Sequence, residues 1–184
     1  MRLYRQTVED YALFPGKELT DDEISALRVD AGQMSAKMRA VRIVSASSVS
    51  KDDLHQRLIR KGEDPQQALE AVQWMSDLNL VDDRKTAEQI VCRCISRGYG
   101  LAKAKQMLYE KRIPKQYWQE VLDHYPDQTE KILEFLRCHL SAGADDRERK
   151  RVIDALVRRG HSYSQIRSAM RLLDFEEIPE DYYG

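Results

Sequence analysis

Three cysteines in 184 residues, Cys92, Cys94 and Cys138, form too sparse and odd a set for a disulfide framework and match reduced cytoplasmic thiols. Eight glycines and five prolines come to about 7% of the chain, against a usual ~12%. So few chain breakers in so charged a sequence favour helices joined by short turns. No apolar run approaches the ~18 residues of a membrane span, and the first residues lack the basic-then-apolar layout of a signal peptide. Nor does one sign of charge dominate, since 30 Lys+Arg face 31 Asp+Glu. These absences exclude a membrane protein, a secreted mini-domain and a zinc ribbon. What is present, 33% charged and 42% hydrophobic residues, suffices for a core and argues against global disorder.

The neutral total conceals an uneven distribution. Residues 82–113 and 145–173 each carry eight basic and four acidic side chains, whereas residues 1–31 carry four basic and seven acidic ones. The last eleven residues have five acids and no base. Two basic blocks separated by a mildly acidic one point to a polyanion or an acidic protein surface as partner; the plainer reading of either block is a solvated helix face.

Helix starts are legible. Thr20-Asp-Asp-Glu23, Ser50-Lys-Asp-Asp53, Asp127-Gln-Thr-Glu130, Asp145-Asp-Arg-Glu148 and Ser162-Tyr-Ser-Gln165 each place a capping oxygen three residues before an acid or amide. Asp64-Pro65 adds a cap followed by proline at the first helical position. Gly62, Asn79, Gly98 and Gly160 follow apolar-periodic stretches and can end them in the left-handed conformation. Between these marks apolar residues recur every three or four positions, which predicts about nine helices after residue 32, each of roughly 10–16 residues.

The helices fall into threes. Arg57-Leu-Ile-Arg-Lys-Gly62 recurs as Met107-Leu-Tyr-Glu-Lys-Arg112 and as Ala155-Leu-Val-Arg-Arg-Gly160, at intervals of 50 and 48 residues. Such a period predicts an all-α array of three tandem three-helix repeats, each burying its face against its neighbour. The expected divisions are an N-terminal arm with a short helix over 1–31, repeats over 32–81, 82–126 and 127–175, and an acidic tail over 176–184. Tyr11-Ala-Leu-Phe14, before Pro15-Gly16, reads as a short strand or an extended arm packed on the first repeat.

Catalytic chemistry finds little support. Gly98-Tyr99-Gly100 lacks the third glycine and the Lys-Ser/Thr of a phosphate loop. His55, His124, His139 and His161 are scattered, and Cys138 beside His139 would point about 100° away from it on a helix. Neither a metal, a cofactor nor a catalytic residue is expected. Binding remains. Arg93 and Arg97 lie one helical turn apart before the Gly98 turn, with Lys103, Lys105, Lys111 and Arg112 following. Arg147, Arg151, Arg158 and Arg159 belong to the third repeat, and Arg167 and Arg171 sit one turn apart on the last helix. Arginine ridges of this kind can follow a regularly charged polymer or filament groove. Asp154 neutralises part of one ridge, and Tyr99 and Tyr163, at helix starts, either add contact area or pack against a neighbouring helix.

Leu80-Val-Asp-Asp-Arg84…Ala87, followed by Arg97-Gly-Tyr-Gly100…Leu108…Lys111…Ile113, resembles the RecX family of bacterial recombinase regulators. Ser50…Asp53-Leu54…Leu58…Lys61-Gly62 resembles that family's first repeat, Gly16-Lys-Glu-Leu-Thr20 its upstream segment, and Val152…Leu156…Arg159-Gly160 more loosely its third. Ala104 stands where the pattern has isoleucine, Arg112 where it commonly has glycine, and Ser45-Ala-Ser-Ser-Val49 is uncharged where members often carry arginines. The resemblance implies a curved all-α protein of three-helix repeats. It further implies a partner, the RecA–single-stranded DNA filament, whose ATPase and strand exchange such proteins modulate, usually by inhibition. On that reading the protein is a cytoplasmic, non-enzymatic monomer in contact with RecA, with single- or double-stranded DNA, or with both, and with no membrane. Two alternatives stand beside it. One is a transcription factor that reads DNA through a helix-turn-helix at Gly62-Glu-Asp-Pro65, and the other is a helical scaffold for protein partners.

Overall fold

In the computed structural model, residues 3–141 and 143–173 are described; the acidic tail expected over 176–184 lies outside them. Every regular element among them is helical: α1 (Arg5–Asp10), α2 (Asp21–Ala46), α3 (Lys51–Arg60), α4 (Pro65–Asp77), α5 (Asp83–Ser96), α6 (Leu101–Glu110), a 3-10 turn at Lys115–Tyr117 leading into α7 (Trp118–Leu122), α8 (Thr129–His139), α9 (Asp146–Arg158) and α10 (Tyr163–Leu172). The chain divides into two compact units, Met1–Thr86 and Ala87–Gly184.

The caps explain most of the boundaries. Thr20 and Ser162 form full capping boxes with Glu23 and Gln165, while Ser50 and Asp145 accept from the amides of Asp53 and Glu148. Asp64 accepts from the amides of Gln66 and Gln67, with Pro65 at the first helical position. Asp127 departs from expectation. Its carboxylate accepts from the Thr129 hydroxyl at 3.0 Å, and α8 starts from Gln128 without a side-chain cap. The expected stops adopt positive φ: 87° at Gly62, 55° at Asn79, 63° at Gly98 and 90° at Gly160. Arg112 joins them at 54°, so the position where the family pattern has glycine demands glycine's conformation.

In the first unit, Ala36 and Ala40 of α2 meet Leu54 and Leu58 of α3 and Ala68, Ala71, Val72 and Met75 of α4. Small residues on α2 let it lie close to α4, its main neighbour. Asp83 is buried and accepts from the Lys51 amide at 2.8 Å, satisfying a first-turn donor of α3 that has no partner within the helix. Two expectations fail here. Tyr11–Phe14 forms a turn after α1, with Ala12 at φ 45°, and no strand. α2 also runs unbroken through residue 31, where the arm was expected to end. Its alanine-rich face is buried along Leu27, Ala31, Ala36 and Ala40, so nothing breaks the helix there.

The second unit contains two cores. Ala87, Ile90, Val91 and Cys94 of α5 pack with Ala104 and Leu108 of α6, closed by Ile113, Trp118 and Val121. Ile132, Leu133 and Leu136 of α8 pack with Val152, Ile153 and Leu156 of α9 and Ile166, Ala169 and Met170 of α10. Leu108, Leu136, Leu156 and Ile166 are fully buried, each side chain contributing about 1.5–3 kcal/mol. α7 has only five residues, shorter than expected. Pro114 leads into the 3-10 turn, and the Trp118 indole donates to the Ile113 carbonyl at 3.0 Å, fixing a tight start in place of a longer helix.

Candidate binding surface

In the second unit two helix-ending turns meet. Gly98-Tyr99-Gly100 closes α5, with the Tyr99 amide donating to the Cys94 carbonyl at 2.9 Å. The Tyr125 hydroxyl donates to the Tyr99 carbonyl at 2.7 Å, and burial pushes that phenol up to about 12. α6 begins at Gly100, which has no side chain to cap it. Its first amides are satisfied instead by carbonyls just beyond α9: Gly100 donates to Arg159 at 2.9 Å and Ala102 to Gly160 at 3.3 Å. Unpaired donors at one helix start thus meet unpaired acceptors at another helix end, so the partial positive charge of the one faces the partial negative charge of the other.

The backbones approach so closely because both residues are glycine. A Cβ on Gly100 would fall onto the Gly160 carbonyl, and one on Gly160 onto the Lys103 amide. Around this contact the Arg159 guanidinium lies 5.4 Å from the Tyr99 ring centroid and 4.9 Å from that of Phe135. It also donates to the Arg97 carbonyl at 3.1 Å, while Phe135 stacks on His139 at 4.1 Å. Arg159, expected among the outward contacts, is half-buried and bound within its own unit. Tyr99 takes the packing role of the two open to it, whereas Tyr163 is 39% exposed.

His161 is buried, and its Nε2 donates to the Gly98 carbonyl at 3.0 Å. That bond fixes the neutral tautomer and leaves Nδ1 buried without a partner among the described residues. Burial lowers the imidazole's pKa below its ordinary 6.5, and the Arg159 charge acts in the same direction, while the Gly98 bond opposes them. The unfolded chain takes up this proton below about pH 6.5, whereas the folded chain resists it to lower pH. His161 therefore contributes stability that is present above that value and lost as pH falls through the folded pKa. A urea midpoint measured from pH 7.5 to 5 should fall on acidification in the wild type and fall less in His161→Gln. Parallel profiles would contradict this.

The other expected contact residues occupy separate faces. Arg93 is exposed on the last turn of α5 and Arg97 in the turn just after it, where Arg97 borders an open cavity of about 380 Å³ with Ser96, Lys131, Phe135 and Arg159. Lys131, which the sequence reading passed over, lies in the acidic block, and Glu134 holds it at 2.9 Å. Lys103 is half-buried and donates to Gln106, and Lys105 is exposed. Lys111 and Arg112 end α6. Arg147, Arg151 and Arg158 are exposed on α9 and share one face within about 40°, with half-buried Asp154 among them. Arg167 is half-buried and Arg171 exposed on α10. Cys94 is buried, which raises its thiol's pKa, and no group of three potential metal ligands occurs among the described residues.

Helices packed over three separate cores, with exposed cations on several of their faces, define an all-helical protein. No family model matches the chain. It is similar to the regulatory protein RecX of Chromohalobacter salexigens, 30% identical over 133 residues, which cover 71% of this chain and 88% of that one. It is also similar to those of Halorhodospira halophila (29% identical, 84% and 99% covered) and Chlorobaculum tepidum (28% identical, 81% and 95% covered). The crystal structure of RecX from Lactobacillus salivarius shares the fold, with a TM-score of 0.65 and 20% identity over 78% of this chain and 97% of that one. The chain belongs to the RecX family of regulatory proteins. Among the described residues no helix is long and apolar enough to cross a membrane.

Proposed function

We propose that the protein regulates RecA by docking on the RecA–single-stranded DNA filament, lowering ATP turnover and strand exchange without chemistry of its own. On this reading it works in the cytoplasm as a monomer of three tandem three-helix repeats. The observation that carries the proposal is the arrangement of exposed arginines in a member of this family, Arg147, Arg151 and Arg158 as a row on one face of α9, and Arg93 on the last turn of α5 with Arg97 in the turn just after it. Rows of cations suit a partner whose negative charge recurs regularly, and several contacts per molecule let one copy bridge successive protomers or block their mobile loops. Lys103, Lys105, Lys111, Arg112, Arg167 and Arg171 extend the surface, and Arg159 serves by holding the Gly98 and Gly160 turns together.

The helix-turn-helix alternative has less behind it. The glutamines that would read bases from α4 are engaged within the protein, Gln66 with Glu70 at 3.2 Å and Gln67 with the Val29 carbonyl at 3.4 Å.

Reversing both charges, Arg93→Glu with Arg97→Glu, is expected to weaken association with preassembled RecA filaments by about tenfold or more, the equivalent of ~1.4 kcal/mol. Co-sedimentation provides the readout, and the helical circular dichroism should be unchanged because both side chains are exposed. Undiminished co-sedimentation would remove this pair from the interface.

A further inference from the structure

The first unit contains a basic recess that the charge of residues 32–81, seven basic against six acidic, conceals. It is an open cavity of about 460 Å³ between the C-terminal half of α2 and the end of α3, lined by Arg39, Arg42, Ile43, Ala46, Arg57 and Lys61. Two of its four cations are held in place by carboxylates. Arg39 pairs with Glu63 at 2.6 Å and donates to the Lys61 carbonyl at 2.8 Å, and Arg57 grips Asp53 through Nε at 3.0 Å and Nη2 at 2.9 Å. Those carboxylate side chains are only 7% and 8% exposed, so they orient the guanidiniums from behind the recess and leave its mouth to the cations. Arg42 and Lys61 are exposed, and no side chain among the described residues pairs with either.

We infer that this recess binds a phosphodiester of a single-stranded nucleic acid together with its adjoining nucleoside. Four cations less two paired carboxylates leave a surplus of two charges. The C-terminal ends of α2 and α3 offset about half a charge each. About one positive charge remains, which suits one phosphodiester and not a polyphosphate. The guanidiniums offer planar N–H donors to its oxygens. Ile43 and Ala46 add an apolar wall against which a sugar or base can lie, and the volume falls within the ~300–1,000 Å³ of small-molecule sites. An acidic peptide would meet the charge but leave that wall unused. The site needs no RecA, so its failure and that of the filament reading are separable.

The test is fluorescence anisotropy of a labelled oligothymidylate with the full-length protein, without RecA, across a salt series. Arg42→Gln with Lys61→Gln removes the two unpaired charges and leaves both buried ion pairs intact. The double variant should bind about tenfold more weakly at low salt. Its dependence of log K on log salt should be shallower by about 0.7, the share of one single-strand phosphate. Lys85→Gln, an exposed lysine outside the recess, should match the wild type. Failure of the wild type to bind at low salt would overturn the inference, as would an unchanged affinity and slope in the double variant. So would displacement of the oligonucleotide by polyglutamate as effectively as by unlabelled oligothymidylate at equal charge.

Discussion

Gly160→Ala is expected to destabilise the second unit by about 2–5 kcal/mol, the sum of left-handed strain at about 1–2 kcal/mol and overpacking at about 1–3 kcal/mol. Gly160 has φ 90°, and its added methyl would fall onto the Lys103 amide, a backbone atom that cannot swing away. The α6 amides that now take carbonyls beyond α9 would lose them as the two turns separate. Gly62 is the internal control. It ends the corresponding helix of the first unit at φ 87° with nothing within 4 Å of an added Cβ, so Gly62→Ala should cost only the conformational part, about 1–2 kcal/mol. Gly100→Ala separates the other part. Its φ of −76° is ordinary for any residue, so its loss of about 1–3 kcal/mol is purely steric. Urea titration of the three variants reads this directly, and equal losses for Gly62→Ala and Gly160→Ala would show that the close backbone contact contributes nothing.

Arg159→Ala should cost about 2–3 kcal/mol, whereas Arg158→Ala should stay within about 0.5 kcal/mol of the wild type. The neighbours differ in surroundings, not in charge. Arg158 is exposed, while the Arg159 guanidinium lies near two rings and donates to the Arg97 carbonyl. Arg159→Lys keeps the charge but not the planar group that suits both the rings and the carbonyl, so most of the loss should persist. If Arg159→Ala unfolds with the wild-type midpoint yet loses filament binding, its place is on the interface and the internal role assigned to it is wrong.

The contrast between these arginines shows what a sequence can reveal about such a protein. Local chemistry was legible. A capping box such as Thr20 with Glu23 spans four residues, and a helix stop such as Gly62 or Gly98 needs only its own φ, so the helical class and most element ends could be read directly. Tyr11–Phe14 misled because four residues are too few to separate a strand from a turn, and α2 ran past the boundary expected at residue 31 because its buried alanines gave no mark there. The role of Arg159 was hidden for a different reason. Its partners Tyr99, Phe135 and the Arg97 carbonyl lie 24 to 62 positions away, and only the meeting of two turns brings them together. The basic recess on the first unit escaped because summing charge by segment does not show which side chains meet in space, and Arg39 and Arg42 come from one helix, Arg57 and Lys61 from the end of the next. Arg93, Arg97 and the α9 row, by contrast, are exposed.

On the proposed function, one molecule influences several RecA protomers through non-covalent docking. The most direct test of this is the single-stranded-DNA-dependent ATP hydrolysis of cognate RecA, titrated with this protein below one copy per protomer. The rate is expected to fall well before stoichiometry is reached. An unchanged rate in the presence of folded protein would contradict it.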